Sequence, residues 1–164
     1  TLGRETFKSA WEEMEYIGKE AKALARLYLD LVDGDAAAYS EVIAAARLPH
    51  KTKEEKGARH SALEEASKRA ALVPMESLRA VEKLMSLATS ATEQGNPNAL
   101  TDAGSALHFA RAAAAIAVAN VRVNLRSIED ETFVGECRRE LSEIMKRVNL
   151  IYEEATLHLD LQVG

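Results

Sequence analysis

Two long helix-forming segments meet at the sequence Gly95-Asn96-Pro97-Asn98-Ala99-Leu100-Thr101-Asp102. Both segments are rich in Ala, Leu, Glu, Lys and Arg, which favour helix, whereas Gly, Pro and Asn interrupt that pattern here. Gly95 is expected to adopt the left-handed conformation that ends a helix. Thr101 is expected to cap the next helix and to leave the Asp102 carboxylate in its first turn, near unpaired backbone N–H groups. This polar corner is therefore predicted to bind a small polar ligand.

Elsewhere, apolar residues recur at helical spacing, and no segment shows the alternation of a strand. The spacing predicts helices over about 5–31, 35–47, 52–73, 74–94, 101–126 and 130–161. Asp33-Gly34-Asp35 and Leu48-Pro49-His50 are expected to interrupt the pattern, and Thr52 with Glu55 forms a capping box. Pro74 either kinks a longer helix or lies in the first turn of a new one. We expect an all-α fold, an antiparallel bundle of about five helices in a single domain spanning 1–164.

The composition is that of a globular protein, with 47% hydrophobic and 29% charged residues. A net charge of −5 gives no general attraction to nucleic acid, and no basic face is interleaved with aromatic residues. The most apolar run, 112–119, is too short to span a bilayer and is expected to be a packed core segment. The single cysteine, Cys137, cannot form a disulfide within the chain, and no signal peptide is visible. We expect a cytoplasmic protein that binds neither nucleic acid nor a membrane.

The motifs of metal and phosphate chemistry are missing from the sequence. The Glu-x-x-His pairs that hold two metals in helical bundles do not occur, because Arg47, Gly57, Ser105 and Ala155 stand three positions before the four histidines. Cys137 has no partner at metal-ligand spacing, and no glycine-rich phosphate loop is present. An enzyme with this sequence is expected to work by proton transfer and positioning, without a metal.

Several short motifs follow one another along the chain. They are Thr1-Leu2-Gly3-Arg4, Asp33-Gly34-Asp35-Ala36-Ala37-Ala38-Tyr39, Arg47-Leu48-Pro49 with Thr52, Glu54, Glu55 and Lys56, Val73-Pro74-Met75, Gly95-Asn96 with Thr101-Asp102, and Asn120-Val121-Arg122-Val123-Asn124-Leu125 followed by Ile128 and Asp130. Each motif alone is weak. In this order and spacing, over nearly all 164 residues, the sequence resembles the cyclodeaminase domain of formiminotransferase-cyclodeaminase and the bacterial methenyltetrahydrofolate cyclohydrolases.

The resemblance implies a homo-oligomeric helical bundle that acts on a one-carbon unit carried by tetrahydrofolate, with no cofactor beyond that substrate. In the cyclodeaminase reaction, N10 closes onto the formimino carbon and ammonia leaves, which gives 5,10-methenyltetrahydrofolate. In the cyclohydrolase reaction, water opens the methenyl bridge to 10-formyltetrahydrofolate. We expect a formimidoyltetrahydrofolate cyclodeaminase; the first alternative is the cyclohydrolase, and the second is a non-catalytic helical interaction module.

The resemblance also has a departure. The family usually carries a P-G-G-G-S-type glycine segment and a further small-residue helix ahead of the position where this sequence begins. This N-terminal Gly-rich segment and first helix are absent from the 164 residues. The resemblance therefore implies that the 164 residues hold an incomplete site. That departure keeps the non-catalytic alternative open.

Asp102 is the first candidate for proton transfer. A helix N-terminus stabilises the ionised carboxylate, which suits a base or a cation stabiliser; the alternative is a plain first-turn carboxylate. His50, in the loop after Pro49, is a candidate general acid, although relatives often carry Lys there. Asn96 and Asn98 are candidates for hydrogen bonds to the pteridine edge, or are simply turn residues.

Four further candidates lie near the end of the Ala-rich helix. Asn120 and Asn124 are amides among Ala and Val, and they must find partners, either in a ligand or in a neighbouring helix. Arg122 and Arg126 are four residues apart on one face. They are candidates to bind the glutamate tail of folate, and the alternative is pairing with Glu129-Asp130.

The spacing of these candidates limits how they combine. Asp102 and Asn120 share a helix face, but five turns place them about 27 Å apart along the axis. One reacting centre cannot contact both within a subunit. We therefore hypothesise active sites at the interface of a homodimer or a higher homo-oligomer, where an antiparallel partner brings the two residues together.

Overall fold

The structure, a computed structural model, describes the backbone of residues 1–163 and the side chains of residues 1–161. Four long helices make up the described fold: α1 (Trp11–Ala46), α2 (Lys53–Gln94), α3 (Leu100–Asn124) and α4 (Glu131–Val163). Three short 3₁₀ segments accompany these helices. Glu5–Ala10 precedes α1, Pro97–Ala99 precedes α3, and Leu125–Ser127 follows α3. No strand occurs in this part of the chain, so the all-α fold expected from the sequence is confirmed.

The interruption predicted at Asp33-Gly34-Asp35 is wrong, because α1 continues through it. A Cβ placed on Gly34 would lie 3.9 Å from Val73 Cγ1, so this glycine lies where α1 packs on α2 and forms no turn. Packing of α1 outweighs the cost of one glycine inside a helix, which is about 1 kcal/mol. The chain therefore has one long first helix where the sequence predicted two.

The predicted stop after α1 and the predicted start of α2 are both confirmed. α1 ends before Leu48-Pro49-His50, and Arg59 Nε donates to the free carbonyl of Ala46 at 2.9 Å. α2 begins with a complete capping box, in which Glu55 N donates to Thr52 Oγ1 at 3.1 Å and Thr52 N donates to Glu55 Oε2 at 3.0 Å. These contacts satisfy backbone groups that a helix end leaves unpaired.

A new helix at Pro74 is not formed, since α2 continues through this residue. Pro74 has no N–H, so the Ala70 carbonyl lacks its donor within the helix. Asn124 Nδ2 of α3 donates to that carbonyl at 2.8 Å. Because both predicted interruptions lie inside helices, the bundle has four long helices and not about five.

The central helix is α2, which packs against α1, α3 and α4, while α3 also packs against α4. The largest fully buried side chains are Met75, Leu78, Val81 and Met85 of α2, Leu107 and Val121 of α3, and Val148 of α4. Cys137, Leu141, Ile144 and Ala155 of α4 are also buried. Since aromatic residues are few, this core is built mainly from aliphatic side chains and alanine.

The apolar surface of α3 has two parts. Ala114, Ala117 and Val118 are buried, so only one face of the run 112–119 is core, and the prediction of a packed core segment holds for that face alone. The opposite face carries the α3 stripe: Phe109, Ala112, Ile116, Ala119 and Val123, all exposed and at the 3–4 spacing of a coiled-coil seam.

This two-sided apolarity explains a compositional feature of α3. By length and composition alone, Pro97–Ser127 would suffice to cross a membrane, although 33% of its most apolar window is buried in the bundle.

Candidate functional site

The corner between α2 and α3 forms, but Gly95 does not act there as predicted. Its φ and ψ of −74° and 178° are extended and not left-handed. Gly95 N donates to the Ala91 carbonyl at 3.1 Å, and a Cβ on Gly95 would lie 2.3 Å from that oxygen. The position requires glycine because the backbone turns back closely on α2, not because its φ is positive.

Thr101 is also not the cap of α3. The segment Pro97–Ala99 forms a 3₁₀ turn capped by Asn96, whose Oδ1 accepts from Asn98 N at 3.0 Å. α3 follows directly at Leu100, so Thr101 already lies inside the helix. Asp102 lies in the first turn, as predicted, and is exposed.

A polar cleft of about 290 Å³ lies where α1 and α3 flank α2. It is lined by Asp35, Tyr39, Val42, Ser67, Ala70, Asn120, Asn124 and Ser127. This volume is near the lower end for small-molecule sites. The cleft therefore has room for a ring system, with a carboxylate, a phenol, two hydroxyls and two amides around it.

The two predicted amides of α3 differ in what they contact. Asn124 Nδ2 donates to the Ala70 carbonyl, so the alternative of a contact to a neighbouring helix describes this residue. Asn120 is exposed and has no hydrogen-bond partner within residues 1–161. Its carbonyl and NH₂ are both free to contact a molecule in the cleft.

The other predicted site residues lie outside the polar cleft. Asp102 is 18 residues before Asn120 on α3, which places it about 27 Å away along the axis. Asn96 and Asn98 belong to the α2–α3 corner. His50 is exposed in the α1–α2 loop, with Nδ1 3.4 Å from the Leu48 carbonyl oxygen. A single protomer thus gathers Asn120 and Asn124 but not the two predicted proton-transfer groups.

A basic groove of about 830 Å³ runs between α3 and α4. Its cations are Arg111, Arg122, Arg126, Arg138 and Lys146, and its apolar floor includes Ala115, Val118, Leu125, Leu141 and Met145. None of the five cations forms an ion pair within the described residues. In a chain of net charge −5, this concentration of unpaired positive charge favours an anionic ligand.

The alternative pairing of Arg122 and Arg126 with Glu129-Asp130 is not formed. Asp130 Oδ2 pairs with Lys68 Nζ at 2.9 Å, and Glu129 Oε2 lies 3.7 Å from His60 Nε2. α2 thus holds both acids, so the two arginines remain in the groove.

The cleft and the groove lie on opposite sides of α3. Asn120 and Asn124 share one face, and Arg122, two residues from each, lies about 200° around the helix axis. The two sites approach each other after the helix ends, where Ser127 lines the cleft and Arg126 lines the groove. A ligand that occupied both would have to pass around this turn.

That turn is anchored from α2. Glu64 accepts from Glu129 N and Asp130 N, at 3.0 and 2.9 Å, and these bonds hold the pKa of Glu64 below its ordinary value. Asp130 caps α4 by accepting from Phe133 N at 3.0 Å, and this bond, followed by the one from Lys68, lowers the pKa of Asp130. Carboxylates at a helix N-terminus are stabilised in this way. The path between cleft and groove therefore has a fixed backbone.

Metal-ligating side chains do not cluster in the described part of the chain. It contains no group of three or more His, Cys, Asp or Glu side chains placed to hold an ion. His108 is exposed, and its Nδ1 lies 2.7 Å from the Tyr152 hydroxyl oxygen.

Sequence reasoning missed several residues that line these sites. Asp35 and Tyr39 belong to the motif at residues 33–39, and that motif is the only sequence signal for them. Arg111, Arg138 and Lys146 had no sequence signal, because only the pairing of α3 with α4 brings them together.

Known proteins resemble this chain both in sequence and in fold. A profile of the formiminotransferase-cyclodeaminase family matches residues 1–143. The methenyltetrahydrofolate cyclohydrolase of Methylorubrum extorquens is 30% identical over 153 residues, which are 93% of this chain and 74% of that protein. The formimidoyltransferase-cyclodeaminase of Rattus norvegicus is 28% identical over 146 residues, which are 89% of this chain and 27% of that protein.

The fold has a counterpart among solved structures. The crystal structure of formiminotetrahydrofolate cyclodeaminase from Thermotoga maritima matches with a TM-score of 0.87 at 27% identity, covering 100% of this chain and 78% of that one.

Proposed function

We propose a specific activity from one premise: this chain belongs to the formiminotransferase-cyclodeaminase family, an enzyme family of folate one-carbon chemistry. The proposed activity is that of a formimidoyltetrahydrofolate cyclodeaminase. The observation that supports it is the polar cleft, where Asn120 lies free beside the Asp35 carboxylate and the Tyr39 phenol. The Thermotoga protein that matches along all of this chain also bears that name.

The chemistry needs a base, an acid and orienting groups. N10 attacks the formimino carbon, and the tetrahedral carbon that forms is bonded to N5, N10 and the leaving nitrogen. N10 must lose its proton, and the leaving nitrogen must gain one before ammonia departs. General acid–base catalysis and fixed orientation are two ways in which side chains accelerate such steps.

Within the cleft, Asp35 is the proposed base and Tyr39 the proposed proton donor. Asn120, with donors and an acceptor both free, is proposed to hydrogen-bond the pteridine edge. The cleft volume suits the pteridine ring and the reacting carbon but not a whole folate. The p-aminobenzoyl-glutamate part must then lie outside, and we propose that its carboxylates reach Arg126 and Arg122 around the turn at Ser127.

Asp102, His50, Asn96 and Asn98 remain predicted site residues, although none of them lines the polar cleft of its own protomer. Asp102 contacts the polar cleft only if it belongs to a neighbouring copy of the chain, as does the corner that carries Asn96 and Asn98. The α3 stripe supports this homo-oligomer, since an exposed coiled-coil seam next to the cleft is a surface for another helix.

A methenyltetrahydrofolate cyclohydrolase is the second candidate, favoured by the 30% identity to the Methylorubrum protein. In that reaction water adds to the methenyl carbon and loses a proton, which leaves a hydroxyl on a tetrahedral carbon. That hydroxyl then loses its proton and becomes the formyl C=O, as the bond from the carbon to N5 breaks and N5 is protonated. The same three groups of the cleft would serve, with Asp35 activating water.

Two assays on one protein preparation test the proposal. Formiminotetrahydrofolate should yield ammonia together with the absorbance of the methenyl product, whereas loss of methenyl absorbance without ammonia identifies the cyclohydrolase. Titration with 5-formyltetrahydrofolate by calorimetry tests the non-catalytic alternative. Absence of both turnovers and of binding heat would overturn the assignment of a folate enzyme.

A further inference from the structure

We infer that Asn124 is a positioning residue: its amide replaces the backbone donor that Pro74 removes from α2, and this bond sets the two walls of the polar cleft. The catalytic consequence rests on the proposed function, while the contact itself can be tested without it. The sequence left open whether Asn124 contacts a ligand or a neighbouring helix, and its bond to Ala70 favours the second role.

Pro74 leaves α2 without one backbone hydrogen-bond donor. In a continuous helix the Ala70 carbonyl accepts from the N–H of residue 74, but Pro74 has none. Pro74 is buried and Ala70 half-buried, so water does not readily take the place of this donor. A carbonyl left without a partner there would be costly, and Asn124 Nδ2 meets it at 2.8 Å.

The bond also crosses the polar cleft. Ser67 and Ala70 form the wall that α2 contributes, and Asn120, Asn124 and Ser127 form the wall of α3. The bond from Asn124 to Ala70 joins these walls, one turn from Ser67 on α2 and one turn from Asn120 on α3. Their separation therefore depends on this contact more directly than on any other polar contact between them.

Asn120 and Asn124 differ in the hydrogen bonds that they make. Both amides lie on the same face of α3 and line the same cleft. Asn124 donates a hydrogen bond to the Ala70 carbonyl, whereas Asn120 has no hydrogen-bond partner in the described chain. Asn120 is therefore the amide available to a ligand, and Asn124 is the one that places it.

The hydrogen bond from Asn124 also accounts for the presence of Pro74 inside a helix. A proline inside a helix normally ends or kinks it, and the sequence left open whether a new helix starts at Pro74. The amide of Asn124 supplies the lost bond, so α2 continues through the proline. Two motifs that are separate in the sequence thus form one structural unit.

The test is a double-mutant cycle between positions 74 and 124. Pro74→Ala restores a backbone N–H for Ala70, so Asn124→Ala should cost much less in that background than in the wild type. In the wild type we expect Asn124→Ala to raise the unfolding equilibrium constant about tenfold in urea titrations. Asn124→Asp, which keeps the shape but loses the donor at neutral pH, should behave like Asn124→Ala.

Asn120→Ala is the matched control, on the same face and in the same cleft. It should leave the urea midpoint unchanged and weaken binding of 5-formyltetrahydrofolate, and Pro74→Ala should not rescue it. The Asn124→Ala variant should lose binding together with stability, and Pro74→Ala should restore both.

Two outcomes overturn the inference. One is additive effects of Pro74→Ala and Asn124→Ala on the urea midpoint. The other is a double variant that regains stability but binds 5-formyltetrahydrofolate as weakly as Asn124→Ala, which would make Asn124 a direct ligand contact. If the wild type neither binds nor turns over any folate, the proposed function fails, and the urea cycle still decides the contact.

Discussion

The Asp35 carboxylate shares the polar cleft with the amide of Asn120, although the sequence pointed to Asp102 as the proton-transfer group. Only the local chemistry of a helix N-terminus pointed to Asp102. Which carboxylate faces Asn120 depends on how α1 lies beside α3, and helix periodicity does not specify this. The motif that contains Asp35 indicates that this segment matters, but it does not indicate that Asp35 lies in the same cleft as Asn120.

Replacement of Asp35 by Asn should lower kcat for the folate reaction by on the order of 10²-fold, because general acid–base catalysis contributes about this much or more. Asp35 is exposed and has no hydrogen-bond partner in the described chain, so the thermal midpoint should stay unchanged. Asp33→Asn is the matched control, on the same exposed helix turn but outside the cleft. Equal kcat values for the two variants would remove Asp35 from the mechanism.

Gly95 shows how a residue can be recognised for the wrong reason. The sequence placed a glycine-dependent helix end at this position, and α2 does end there. The predicted left-handed φ is absent, and the requirement for glycine comes from the Ala91 carbonyl oxygen, 2.3 Å from the position of a Cβ. Close approach between backbone atoms leaves no sequence pattern of its own.

At the scale of helices, the segments with strong apolar periodicity and side-chain caps were predictable. The capping box at Thr52 and the stop before Pro49 depend only on neighbours in sequence. The errors at Gly34 and Pro74 have one cause, since contacts between helices outweigh local helix-breaking tendencies there. Such contacts come from residues far away in the chain, such as Val73 for Gly34 and Asn124 for Pro74.

The start of α4 should make stability sensitive to acid. Backbone hydrogen bonds from Glu129 and Asp130 lower the pKa of Glu64 from its ordinary 4.5. A pKa lowered by folding contributes stability that is fully present above the ordinary value and is lost as the pH falls through the folded value. The urea midpoint should therefore decrease below about pH 4.5, and Glu64→Gln should make this decrease smaller.

Glu65→Gln is the control for this acid effect. Glu65 is the sequence neighbour of Glu64, but its only described contact is an exposed ion pair with Lys68 at 3.5 Å. Its variant should keep the acid sensitivity of the wild type. If Glu64→Gln keeps it as well, the anchoring of α4 by Glu64 contributes nothing measurable.

At the scale of the whole molecule, the sequence predicted the fold class and the family, but it did not predict the polar cleft or the basic groove. The five cations of the basic groove come from two helices, and their number becomes visible only when α3 and α4 are paired. The sequence also does not show that Asp130 lies against Lys68 and Glu129 against His60. These contacts leave Arg122 and Arg126 in the groove.

Arg122→Gln combined with Arg126→Gln should raise KM for the folate substrate about tenfold, because charge-assisted hydrogen bonds to its carboxylates are lost. Since these groups lie away from the reacting carbon, kcat should stay unchanged. The effect should shrink at high salt, as expected for exposed charges. Arg69→Gln, outside the groove and paired with Glu41, is the control; an equal rise in KM there would point to net charge alone.

The hypothesis of an active site shared between protomers makes a prediction about mixed oligomers. Asp102→Asn and Asn120→Ala should each lower turnover when present alone. If the two residues come from different protomers, hybrids refolded from an equal mixture should recover about a quarter of wild-type activity, since half of the dimers then hold one intact site. Hybrids without activity, or a wild type that sediments as a monomer with full turnover, would rule out the shared site.

The central position of α2 has a consequence for how the molecule opens. Its residues Met75, Leu78, Val81 and Met85 are at most 1% exposed, and the helix contacts all three of its neighbours. No single neighbour can fray away and leave these amides accessible, so their hydrogen exchange should proceed only through global unfolding. In deuterium-labelling experiments the middle of α2 should therefore exchange most slowly and report the free energy of the whole chain, while α1, which packs mainly on α2, exchanges earlier.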